Sequence, residues 1–179
     1  FMTNSFIRPT DIKWMQHKHI EVIEGVHTYL RMSLPTSKKH DKPIVSMAAA
    51  VHYYRRQKAL HWSDDKRKNK ATAEDYVFLP SYGRTSAADT KEQIEKRRGA
   101  ALTQLQRQFS VLLAHCGLAQ GARGEERSLY SLRHTYATLA LLEGGADIHT
   151  LSKQMGNSAL MIERHYSKLT ATMAADRLA

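Results

Sequence analysis

The chain has 179 residues and a mass of 20.4 kDa, and its 42% hydrophobic content suffices for one globular domain with its own core but not for a second full one. Lysine and arginine total 27 against 17 acidic residues, giving a formal charge of +10 and a pI near 9.8, so a polyanion is the natural partner. A single cysteine excludes an intramolecular disulfide, and no apolar run approaches the ~18 residues of a spanning helix or follows a signal-peptide pattern. A reducing, cytoplasmic compartment is expected. Cys116, in the apolar run VLLAHCGLA, is expected to be a small buried thiol. Phe1 is not an initiating methionine, so a fragment, or one domain of a longer protein, is expected.

In chain order, residues 5–12 predict a helix start, with Pro9 at the first helical position, Arg8 just before it, and Ile12 and Met15 facing a core. The alternation in HIEVIEG and VHTYLRMS predicts a β-hairpin turning at Glu24-Gly25. A lysine-rich loop carrying Lys38 and Lys39 then leads to a third short strand at Ile44-Val45-Ser46. Met47 to Trp62 has helical spacing with a basic outer face of Arg55, Arg56 and Lys58. The charged stretch Ser63 to Ala73 reads as a mobile loop, its lysines Lys66 to Lys70 being solvated or in contact with phosphate.

A brief apolar stretch, Tyr76 to Pro80, and a second loop precede a helix cap near Thr90. Gln93 to His115 predicts a long helix, open to a break at Gly99 and ended by Gly117. A polar connector, Ala119 to Arg127, leads to three further helices. One spans Ser131 to Glu143 and is closed by Gly144-Gly145; one is capped by Asp147 and runs to about Met155; one is capped by Ser158 and carries Tyr166. Met173 to Leu178 is apolar enough for a last helix. No internal repeat appears.

If the polyanion is DNA and the reaction is attack on a phosphodiester, negative charge develops on the nonbridging oxygens, and guanidinium forks match that geometry. Arg8 and Arg133, each at a predicted helix start, are the candidates for this clamp. Tyr166 can form a covalent ester that conserves bond energy for religation. Its ordinary pKa is ~10, so about one phenol in a thousand is ionised at pH 7, and nearby arginines are expected to favour the phenolate. The leaving 5′ oxygen needs a proton, which Lys38 or Lys39 on a loop can supply; the scheme requires no metal or other cofactor. His134, His149 and His165 do not form a metal set, because no two fall four apart on one helix and no acid accompanies them. His134 is expected to pack and hydrogen-bond so as to orient its segment.

These residues also carry a resemblance. Ile7 to Asp11 (IRPTD) resembles the first arginine box of the tyrosine recombinases, or phage integrases, and Leu132 to Thr138 (LRHTYAT) resembles the second. Gln154 to Ser158 (QMGNS) followed by Met161 to Tyr166 (MIERHY) is similar to the third box and the nucleophile segment, and the resemblance covers nearly the whole chain. It implies a mainly helical domain with a small antiparallel hairpin sheet: one catalytic domain over residues 1–179 that recombines DNA at specific sites, as in integration. Strand exchange would run through a 3′-phosphotyrosyl intermediate on double-stranded DNA, with further protomers in a tetramer. It implies Arg8 and Arg133 as the phosphate clamp, Tyr166 as nucleophile and Lys38 as the hairpin lysine, with Lys39 next in register. Arg55, Arg56, Lys39 and His134 are the remaining candidates for DNA contact.

The chain departs from the pattern at two positions. Tyr130 stands where a histidine usually precedes the second arginine by three residues, and Asn157 stands where His or Trp usually follows the glycine of the third box. Tyrosine and asparagine can both hydrogen-bond to phosphate, yet neither accepts a proton readily at neutral pH. The N-terminal DNA-binding domain of such integrases is absent from this chain, so weak DNA binding is expected. A non-catalytic DNA-binding remnant of an integrase, or a cleaving and religating enzyme like the type IB topoisomerases, are the alternatives.

Overall fold

A computed structural model describes residues 1–35, 43–59, 71–142 and 145–166. Pro9 opens α1 (Pro9–Ile12), where its missing N–H costs nothing, and Arg8 occupies the N-cap position in extended backbone. The Asp11 carboxylate accepts the Arg8 backbone N–H at 3.1 Å, closing the turn from its far side. Phe6, Ile7, Ile12 and Met15 on this segment are all buried.

Three antiparallel strands follow in the order β1 (Ile20–Ile23), β2 (Tyr29–Met32) and β3 (Ile44–Val45). Alternation decides the faces: Ile20, Leu30, Met32 and Ile44 point to the core, while the opposed pair Glu21 and Arg31 forms a solvent-side ion pair. Ile23 pairs with Tyr29, so the hairpin closes over residues 24–28 rather than in a two-residue turn at Glu24-Gly25. The Ser46 hydroxyl accepts the Leu30 N–H at 3.1 Å, prolonging the β2–β3 contact beyond the last strand residue. α2 (Ala49–Ala59) packs on β2 through Ala50, Val51 and Tyr54. The predicted loops around Lys38, Lys39 and Lys66, and the predicted C-terminal helix, lie outside the described residues.

α3 (Lys91–His115) starts at the Thr90 cap, whose hydroxyl accepts the Gln93 N–H while the Gln93 side chain accepts the Thr90 N–H. The helix runs unbroken through Gly99, contrary to the break allowed for there: a single glycine costs a helix only about 1 kcal/mol, which the continuous hydrogen-bond ladder outweighs. It ends at Gly117 in left-handed backbone, φ +68°. Arg98, fully buried, holds α3 in place by donating to the carbonyls of Lys13, Phe78 and Leu79, with its guanidinium 4.0 Å over the Tyr76 ring. Cys116 is exposed, not buried as expected. The last turns of α3 extend past the core, so Val111, Leu112 and Leu118 share that exposure.

α4 (Leu129–Leu142) begins two residues earlier than predicted, because the Ser128 hydroxyl accepts the Tyr130 N–H at 3.2 Å. Ala137 and Ala140 on its inner face let the 3-10 turn Met2–Asn4 approach closely, and Tyr136 meets Phe6 with ring centroids 5.4 Å apart. α5 (Ile148–Met155) is capped by Asp147, which accepts the Thr150 N–H at 2.9 Å, and stops at Gly156 in left-handed backbone. A sixth helix, α6 (residues 159–166), starts after Ser158, whose hydroxyl accepts the Met161 N–H at 3.2 Å. One apolar cluster joins both ends of the chain, from Phe6 and Met15 through Leu141, Leu151 and Met155 to Ile162 and Tyr166.

Candidate active site

Arg133 lies one turn inside α4 and is 1% exposed, so it is not at a helix start and gains nothing from free N–H groups there. Instead its guanidinium donates from Nη1 to the Phe6 carbonyl and from Nη2 to the Met155 carbonyl. Its buried Nε finds no acceptor among the described residues. Arg8, half-buried at the N-cap of α1, donates from Nη2 to the same Met155 carbonyl at 3.4 Å. Residues from both ends of the chain thus place two guanidinium groups against one backbone oxygen.

That proximity has an electrostatic signature. The Arg133 pKa is pushed down, first by burial and then by the positive charge of Arg8, while Tyr130, Asp11 and Tyr166 oppose the fall. Asp11 is the group that sequence reasoning missed. It is 4% exposed, braces the Arg8 backbone and is the carboxylate facing this pair of cations. Its signal was present in the IRPTD segment, three residues beyond Arg8, but spacing alone could not show it buried.

Tyr166 is 7% exposed on α6, and its phenolic oxygen lies 2.7 Å from His134 Nδ1. His134 is also edge-on to Tyr130, at 5.5 Å between ring centroids, and 6.3 Å from the His165 ring. Burial pushes the Tyr166 pKa up to about 12, with Tyr130 adding to the rise and Arg133 opposing it. Arg133 favours the phenolate, as expected of a nearby arginine, but desolvation of the oxygen outweighs it. Desolvation, His165 and Arg133 together push the His134 pKa down.

Asn157 follows Gly156, and its N–H bonds the Ser152 carbonyl at 3.1 Å, which fixes it two residues past the carbonyl that both arginines share. Gln154 in the same segment accepts the Val45 N–H at 3.1 Å and ties α5 to the sheet edge. Tyr130 is 44% exposed beside the site. Arg55 and Arg56 stay on the outer face of α2, where Arg55 pairs with Glu24 of the hairpin. Lys38 and Lys39 lie in the β2–β3 connection, outside the described residues. Among the described residues no group of three or more His, Cys, Asp or Glu side chains could hold a metal ion, and no helix is long and apolar enough to cross a membrane.

The order of the elements, mostly helical with a three-stranded antiparallel sheet, is a fold shared with a solved recombinase. A crystal structure of XerA recombinase is similar to this chain at a TM-score of 0.56 and 16% identity, over 98% of this chain and 54% of that one. A Tn1549 transposon integrase, solved in complex with transposon right end DNA, gives a TM-score of 0.45 and 13% identity over 99% of this chain and 56% of its own. The fold assignment rests on the first. The chain spans about half the length of these proteins. No protein-family model matches it, and no curated protein sequence does.

Proposed function

We propose that this chain is the catalytic domain of a recombinase that cleaves and rejoins DNA strands through a phosphotyrosyl ester, without a metal. The observation that supports it best is the convergence of Arg8 and Arg133 on the Met155 carbonyl, with Tyr166 close enough for the Arg133 charge to act on its phenol. A scissile phosphate taking the place of that weak carbonyl acceptor would receive two forks of donors on its nonbridging oxygens. Tyr166 then attacks phosphorus, and Lys38, or Lys39 in the adjacent register, protonates the departing 5′ oxygen. Tyr130 and Asn157 donate hydrogen bonds to the phosphate, Asp11 holds Arg8 in place, and Arg55, Arg56 and Lys39 meet the backbone further out.

The test uses nicked suicide duplexes made from the DNA flanking the gene, which trap a covalent adduct because the cleaved strand diffuses away. A denaturing gel should show a protein–DNA adduct for the wild type and none for Tyr166→Phe. An adduct that survives that substitution would remove Tyr166 from its role. DNA binding without any adduct would leave the non-catalytic remnant, a reading that Tyr130 in the usual histidine position favours. Relaxation of supercoiled plasmid without a partner strand would point to a topoisomerase-like activity.

A further inference from the structure

We infer that His134 is the general base that takes the phenolic proton of Tyr166 during strand cleavage, its Nδ1 accepting directly from the attacking oxygen. The inference rests on the strand-cleavage reading and adds a catalytic residue to it. The contact is 2.7 Å, an ordinary length for a strong O–H···N bond, and it joins α4 to α6 across the site. The two positions at which the recombinase pattern would put a proton acceptor hold Tyr130 and Asn157, neither of which takes a proton near neutral pH. Among the described residues, His134 is the imidazole in hydrogen-bond contact with the phenol; His165 approaches the His134 ring, not the Tyr166 oxygen.

The charged and titratable groups around His134 suit this role. Arg133 and Tyr130 face it from its own helix, and His165 and Tyr166 face it from α6. Burial first, and then the influence of His165 and Arg133, favours the neutral imidazole, the form that can accept. Burial keeps the Tyr166 phenol protonated at neutral pH, so a base in contact with its oxygen can assist the attack. His134 is itself exposed on its outer side, so the imidazolium can pass its proton to water.

The Tyr166 oxygen forms a bond to phosphorus, the bond from phosphorus to the 5′ oxygen breaks, the phenolic proton moves to His134 Nδ1, and the 5′ oxygen takes a proton from water. Religation reverses each transfer, with the imidazolium returning its proton to the departing phenolate.

Single-turnover adduct formation on the nicked duplexes, followed from pH 5 to 9, tests the assignment. The wild type should show an acid limb with a midpoint below the ordinary histidine value of ~6.5. His134→Gln keeps a side chain that can bond the phenol but cannot accept its proton; it should cleave about a hundredfold more slowly and lose the acid limb. His134→Ala should regain rate on addition of free imidazole. A His134→Gln enzyme with wild-type rate, or with the acid limb intact, would overturn the proposal while leaving the phosphotyrosyl reading in place. Absence of any wild-type adduct would instead bring down that reading and this inference with it. Nitrogen NMR of the His134 ring reads the same contact without turnover: Nδ1 should be unprotonated at pH 7.5 in the free protein, and a protonated Nδ1 would exclude it as the acceptor.

Discussion

Arg133 is buried, bonded among the described residues to two backbone carbonyls and to no carboxylate, and beside a second arginine; Asp11 offsets only part of the cost of holding a cation there. Such an arrangement suits a group waiting for an anionic ligand. Lysine at this position keeps the charge but has no fork, so Arg133→Lys should slow adduct formation roughly a hundredfold or more. It also gives up one of the two hydrogen bonds that the guanidinium donates to the Phe6 and Met155 carbonyls, at about 1 kcal/mol. Adduct kinetics and the denaturant midpoint measure the two losses separately; full activity in the lysine variant would show that the fork is not needed. Tyr166 teaches the complementary lesson. Its position in the MIERHY segment was legible, but the sign of its pKa shift depended on burial that only packing supplies.

At the scale of elements, local rules carried furthest. Pro9, Thr90, Asp147 and Ser158 are legible in the sequence as helix-start residues and act as such, since capping needs only a few neighbouring residues. Gly99 was ambiguous because a glycine permits a break without requiring one, and the structure shows a continuous helix with open space where a side chain would point. Gly99→Ala should therefore stabilise the protein by about 0.5 to 1 kcal/mol, visible as a raised thermal midpoint; a drop would mean that the helix is strained there.

The 3-10 turn His17–His19 is held to α2 by a contact of 3.1 Å between His17 Nδ1 and the Tyr54 hydroxyl, and burial followed by the Lys58 charge pushes the His17 pKa down. The unfolded chain then binds the proton first as pH falls below the ordinary value of ~6.5, so the stabilising contribution is present above that pH and is lost toward the lower folded-state pKa. The thermal midpoint should fall between pH 7.5 and 5.5, and His17→Gln should reduce that fall, leaving the share due to His19 and His134, whose pKa values are also lowered. An unchanged pH dependence in the variant would remove His17 from the account.

For the whole molecule, the net charge of +10 predicts that the proposed DNA binding depends strongly on salt. If about four phosphates are neutralised, the affinity should fall roughly a hundredfold between 50 and 200 mM salt, as filter binding or anisotropy would show. A flat salt response would exclude backbone contact as the source of binding. The basic face of α2 is the place to look for the slope: Arg56→Ala should lower it, while Arg55 spends part of its charge on Glu24.

By itself the sequence determined the order of the elements, their caps, the basic charge and the short segments that hold Arg8, Arg133 and Tyr166, because each depends on residues close together in the chain. The tertiary structure decided what those residues meet. The shared Met155 carbonyl, the burial of Asp11 and the bond between His134 and Tyr166 join positions far apart in sequence, and no local pattern encodes them. Cys116 marks the same boundary from the other side: an apolar run can be read locally, but whether a neighbour covers it is settled only when the core closes, and here the core ends before reaching it.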